Sequence, residues 1–133
     1  MKVLFVDDDC ARWKKFTQNN VSVVSQRVKF VEEATDILSK EKFDVICLDH
    51  DMDDPPFRLW LPNGTDLAKY IVENKIECRT IVLHSLNEEG RARMLDILTK
   101  AGYHVVDCPW LWDKDLKEIL FREWAKQELN DGK

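Results

Sequence analysis

Residues Phe43 to Asp54 read FDVICLDHDMDD, in which the apolar run Val45-Ile46-Cys47-Leu48 breaks off into Asp49-His50-Asp51 and then Asp53-Asp54. An unbroken apolar run bounded by polar residues is the pattern of a strand buried on both faces, and such strands belong to parallel sheets covered by helices. The acidic cluster therefore falls at the carboxyl end of a strand. In open α/β sheets that edge is where loops and helix N-termini converge on ligands. Carboxylates packed this densely repel one another and call for counter-charge, which a metal ion or a phosphate–metal pair supplies.

The same pattern recurs at the N-terminus, where Lys2 to Val6 (KVLFV) runs into Asp7-Asp8-Asp9. Asp9 reads as the cap of a helix through Trp13, Phe16 and Thr17 that stops near Asn19-Asn20. Val28 to Val31 predicts a second strand, and Glu32 to Lys40 a helix with Ala34, Ile37 and Leu38 on one face. Beyond the third strand, Met52 to Asn63 (MDDPPFRLWLPN) carries three prolines and predicts a long loop that closes over a ligand, with Trp60 as a shield against water. Asn63-Gly64 predicts a turn and Thr65 to Val72 a helix. Thr80 to Leu83 then forms strand four and leads into His84-Ser85-Leu86-Asn87. A helix from Glu88 to Lys100 ends at Ala101-Gly102, strand five covers His104 to Val106, and a last helix runs from near Asp113 through Leu116, Ile119, Leu120 and Trp124. Strands alternating with helices predict a single α/β domain over residues 1–133, a doubly wound five-stranded parallel sheet with right-handed crossovers.

Composition narrows the function classes. The chain has 133 residues, 44% of them hydrophobic, which suffices for one core. A net charge of -5 with interspersed signs excludes the basic face used on duplexes, so duplex nucleic acid is not an expected partner and any nucleic-acid contact is confined to a strand end or a single nucleotide. Cys10, Cys47, Cys78 and Cys108 form no CxxC pair and read as reduced thiols. No apolar run approaches the ~20 residues of a membrane span, and Met1 leads directly into a strand, so a soluble cytoplasmic protein without membrane contact is expected.

Strand one ending in Asp7-Asp8, strand three in Asp49 and strand four in His84-Ser85 together resemble the receiver domain of response regulators, whose strand order is 2-1-3-4-5. The resemblance implies a magnesium or manganese ion held by Asp7, Asp8 and Asp49, with Asp49 at the phosphoryl-accepting position and Ser85 at the strand-four hydroxyl. The chain departs from that family in three places. Cys108 precedes Pro109 where receivers carry a lysine, His50 and His84 flank the site, and the loop after Asp49 is longer than usual. With DDD-x-x-R at Asp7 to Arg12, LDHD at Leu48 to Asp51 and HS-x-N at His84 to Asn87, the chain is similar to the cyclic-phosphate-processing receiver-like domains.

That likeness implies a metal-dependent phosphoesterase acting on a cyclic phosphate, either an RNA 2',3'-cyclic phosphate end or a cyclic nucleotide. The alternative is a non-catalytic or atypical receiver module, against whose phosphorylation the missing lysine at Cys108 argues. Hard carboxylate oxygens at Asp7, Asp8 and Asp49 suit Mg2+ or Mn2+. Imidazole exchanges protons near neutral pH, so His50 and His84 are expected as the acid–base pair, one on each side of the phosphorus, with Asp51 as a ligand or as the group orienting an imidazole. Arg12, Ser85 and Asn87 are the expected phosphate-binding set, Asn87 together with the N-H groups opening the following helix. His104 reads as structural, Trp110 and Trp112 as packing against the last helix, and Arg91 and Arg93 as solvated charges.

Overall fold

The computed structural model describes residues 1–51 and 63–131. Five strands, β1 (Lys2–Val6), β2 (Val24–Val28), β3 (Val45–Leu48), β4 (Thr80–Leu83) and β5 (Val105–Asp107), alternate with α1 (Cys10–Asn19), α2 (Val31–Lys40), α3 (Gly64–Glu73), α4 (Glu88–Lys100) and α5 (Leu116–Asp131). A short 3-10 turn, Leu111–Asp113, precedes α5. Every strand pair is parallel and the order is β2-β1-β3-β4-β5, as expected from the resemblance.

The two-residue period of the strands divides the core into two layers. Leu4, Val6, Ile46, Leu48, Ile81 and Leu83 face α2, α3 and α4, meeting Ala34, Leu38, Leu67, Ile71, Met94 and Leu98. Val3, Phe5, Val45, Cys47 and Val82 face the other way, meeting Phe16 of α1 and Leu116, Leu120 and Trp124 of α5. Burial on both sides is why β1, β3 and β4 read as unbroken apolar runs. It also places their carboxyl ends, and the acidic residues that follow, along one edge.

The second strand lies at Val24–Val28 rather than at Val28 to Val31. Among the described strands it pairs only with β1, as an edge strand, and its middle positions Ser25, Gln26 and Arg27 are polar and at least partly exposed, so no continuous apolar run marks it. Phe30 is instead the N-cap of α2, and Val31 its first residue. Strand five starts one residue later than expected, and the 3-10 turn delays the last helix to Leu116. The loop expected to close over the ligand, with Trp60, lies outside the described residues. Among the described residues, no helix is long and apolar enough to cross a membrane.

Candidate metal centre

Asp7 and Asp8 leave β1 and Asp49 leaves β3, and each offers a carboxylate oxygen within 4.8 Å of the others. Asp7 is fully buried and Asp49 nearly so. Their backbone is tied to the sheet: Asp7 N donates to Val28 O at 3.0 Å and Asp49 N to Val6 O at 3.1 Å. Arg27 of β2 donates to the carbonyls of Asp7 at 3.0 Å and of Asp8 at 2.9 Å, which sets the path of the acidic loop. Asp9 caps α1 as expected, accepting from Arg12 N at 3.0 Å.

One turn into α1, Arg12 reaches back between the two buried carboxylates. Its Nη2 donates to Asp7 Oδ1 at 2.8 Å and to Asp49 Oδ2 at 3.2 Å, while its guanidinium lies 5.1 Å over the Trp112 ring. Its Nε is buried without a hydrogen-bond partner. Helix one thus carries a cation to Asp49, although Cys108, where receivers keep a lysine, carries none. Trp112 packs, as expected, but beneath this arginine. Trp110 is 52% exposed and leans on Trp112 at 5.6 Å, so the two tryptophans differ in environment.

Burial and the charge of Asp7 together push the Asp49 carboxyl up to about 7. Burial pushes Asp7 up as well, but its bonds to His84 and Arg12 outweigh that and hold it below the ordinary carboxylate range. Three carboxylates gathered within 4.8 Å, two of them buried, form an all-oxygen donor set that fits a hard divalent ion such as magnesium or manganese.

Both histidines adjoin this edge, but neither ring is open to it. His84 is fully buried, stacks on Phe5 at 4.7 Å between centroids and places Nε2 3.1 Å from Asp7 Oδ2. Burial holds its imidazole below the usual range in spite of Asp7, so the neutral ring donates Nε2-H to the carboxylate. Its Nδ1 is buried without a partner, an arrangement that a neutral lone pair tolerates better than an N-H would. His50 is also buried, with Nδ1 2.7 Å from Asp51 Oδ1 and Nε2 2.9 Å from Thr65 Oγ1. Both rings, expected one on each side of the phosphorus, face carboxylates of this edge. Each ring positions a carboxylate: His84 holds Asp7, and His50 holds Asp51.

Asp51 is the exposed partner in this arrangement. Asn87 Nδ2 donates to its two oxygens at 3.1 and 3.2 Å, and the bonds from His50 and Asn87 outweigh partial burial and lower its carboxyl. Asn87 also caps α4, accepting from Gly90 N at 2.9 Å, and its own N-H donates to Ser85 Oγ at 3.0 Å. Arg91, expected as a solvated charge, instead donates to Ser85 O at 2.7 Å and pairs with Asp107, bracing the loop after β4 against the end of β5.

Two glycines make this packing possible. A Cβ on Gly64, which opens α3 after the Asn63 capping box, would meet Asp49 O at 2.4 Å. A Cβ on Gly90 would lie 2.3 Å from the His50 ring. Neither Thr65, Gly90 nor Arg27 was singled out from sequence, though a glycine three residues after a helix cap is itself a sign of close approach. Gly90→Ala is expected to displace the His50 ring and destabilise the fold by about 1–3 kcal/mol, the usual cost of overpacking. Urea denaturation at neutral pH measures this, and an unchanged midpoint would mean that the ring relaxes freely.

A doubly wound sheet with two acidic strand ends and a hydroxyl at the third defines a receiver-type domain. The chain belongs to the cyclic-phosphate processing receiver domain family, whose model matches residues 2–100. Among solved structures it is similar to a CheY-like response regulator receiver domain protein from Methanospirillum hungatei (18% identity, 98% of this chain and 94% of that one, TM-score 0.60). It is also similar to a two-component response regulator from Clostridium difficile (20% identity, 95% and 93%, TM-score 0.63). The HemR receiver domain from Leptospira biflexa aligns at 22% identity over 91% and 89% of the two chains, with a TM-score of 0.57. At these identities the structural likeness concerns the fold. No curated protein matches the chain in sequence.

Proposed function

We propose that the protein opens a cyclic phosphodiester, an RNA 2',3'-cyclic phosphate end or a cyclic nucleotide, at a divalent ion held by Asp7, Asp8 and Asp49. The observation that carries this reading is the convergence of those three carboxylates, Asp7 and Asp49 bridged by Arg12, at the edge where the family motifs also lie. A bound magnesium or manganese ion would polarise the phosphoryl oxygens and acidify water. Arg12 bridges Asp7 and Asp49 in the metal-free protein and offers a planar fork to phosphate. His84 keeps Asp7 oriented and ionised. Asp51, exposed and held by His50 and Asn87, orients the attacking water, accepts its proton as the new P–O bond forms, and returns it to the alkoxide oxygen released when the ring P–O bond breaks, while Ser85 and Asn87 lie along the phosphate side.

The reading is tested by incubating the pure protein with magnesium or manganese and a panel of cyclic phosphates, scored for ring opening by chromatography. Metal-dependent turnover that is lost in Asp7→Asn supports it, and a panel wholly untouched sinks it. Arg12 also favours a second reading, a phospho-accepting receiver, because it brings to Asp49 the cation that Cys108 does not. Intact-mass spectrometry after acetyl phosphate separates the two. One phosphoryl group added to the wild type and absent from Asp49→Asn would promote the second reading.

A further inference from the structure

At the opposite, amino edge of the sheet lies a recess of about 710 Å³, within the range of small-molecule sites. We propose that it is a second ligand site, one that takes a small organic oxyanion, a carboxylate or phosphate ester, between Lys75, Arg79 and His104.

The charge balance of the recess favours an anion. Lys75 and Arg79 line it and make no ion pair among the described residues, whereas Glu77, its acidic residue, pairs with Lys42 at 3.3 Å. The Arg79 guanidinium lies 3.7 Å over the Trp124 ring. Stacking fixes the plane of the guanidinium and leaves its N-H edges free, the arrangement that binds carboxylate or phosphate through two parallel hydrogen bonds.

A hydrogen-bond chain fixes the His104 ring. Trp124 Nε1 donates to Thr80 Oγ1 at 2.8 Å, and the same hydroxyl lies 2.9 Å from His104 Nδ1. His104 is thereby held in place in the lining of the recess. Helix carboxyl ends repel anions, and α3 and α4 both end here, but several carbonyls there are engaged. Ile71 O accepts from Ile76 N at 3.0 Å, Leu98 O from Tyr103 N at 3.1 Å, and the carbonyl of Ile76 from the Tyr103 hydroxyl at 2.6 Å. Val72, Ile76 and Tyr103 add apolar wall for the carbon part of the ligand.

The site is independent of the acidic edge, and so is its test. In proton–nitrogen correlation spectra of the full chain, titration with inorganic phosphate and separately with succinate should shift the Trp124 indole and Gly102 amide signals along a saturating curve. The stronger of the two anions identifies the ligand's head group. Arg79→Gln should weaken binding about tenfold or more, the loss of one charge-assisted pair. Lys75→Glu, on an exposed residue away from Trp124, should weaken it as well, while Asp49→Asn should leave it unchanged. Signals that do not move with either anion, or saturating shifts that survive both Arg79→Gln and Lys75→Glu, would overturn the proposal.

Discussion

Asn in place of Asp49 should make the metal-free protein more stable at pH 8, by about 2–4 kcal/mol, while abolishing both divalent-ion binding and turnover. The cause is the burial of the Asp49 carboxylate, to which repulsion from Asp7 adds. Asp49 titrates at about 7 in the fold against an ordinary value of 3.8, because burial and the neighbouring Asp7 disfavour its charge. A carboxyl whose folded value is raised holds its proton more tightly in the native state. Its stabilising contribution is therefore complete below the unfolded value and disappears as pH rises from about 4 through about 7. Each unit of difference is about 1.4 kcal/mol, so above pH 7 the ionised group costs roughly 4 kcal/mol, an upper bound that relaxation around Arg12 reduces. Asparagine keeps the shape and an acceptor for His50 N, which lies 2.9 Å from Asp49 Oδ1, without the charge. Denaturant melts at pH 8 and pH 4 give the measurement: the gain should be present at the first and nearly gone at the second. Magnesium should narrow the pH 8 gap by stabilising only the wild type. A variant no more stable than wild type at pH 8 would show that burial and Asp7 do not disfavour the charge of Asp49.

The second large effect concerns Asp51. Asp51→Ala is expected to lower turnover on the best cyclic phosphate by about a hundredfold or more, the range of a general acid–base group, with metal binding by calorimetry retained. His50→Ala should lower turnover too, because the imidazole fixes the Asp51 carboxylate, and should also destabilise the fold, since the ring fills the space over Gly90. His84→Ala should differ from both by weakening metal binding, because its ring holds Asp7, one of the three carboxylates proposed to bind the ion, rather than Asp51. If Asp51→Ala turned over like wild type while His50→Ala remained folded and inactive, the imidazole itself would be the reacting group.

Much of the architecture was legible in the order of residue types. The runs KVLFV, VICL and TIVL announce strands buried on both faces, and the acidic and hydroxyl residues at their ends must share one edge once the sheet is parallel. Periodicity reports burial, so it served β1, β3 and β4 well and misplaced β2, whose polar edge positions carry little apolar signal. The cap of α1 at Asp9 and the Asn63-Gly64 start of α3 were readable for a local reason, since caps are made within one turn of chain.

What the chain order could not supply was the direction in which each polar side chain points. That Arg12 occupies the space between Asp7 and Asp49, that Arg91 braces Ser85 rather than facing solvent, and that Trp112 lies under a guanidinium all depend on contacts between distant segments. The histidines show the same limit. Their types and their places at two strand ends were plain from sequence, but Phe5 and Asp7 take the ring of His84, and Thr65, Asp51 and Gly90 take that of His50. A buried polar ring must satisfy its nitrogens wherever partners stand, and only the packing of α3 and α4 against the sheet determines where those partners are.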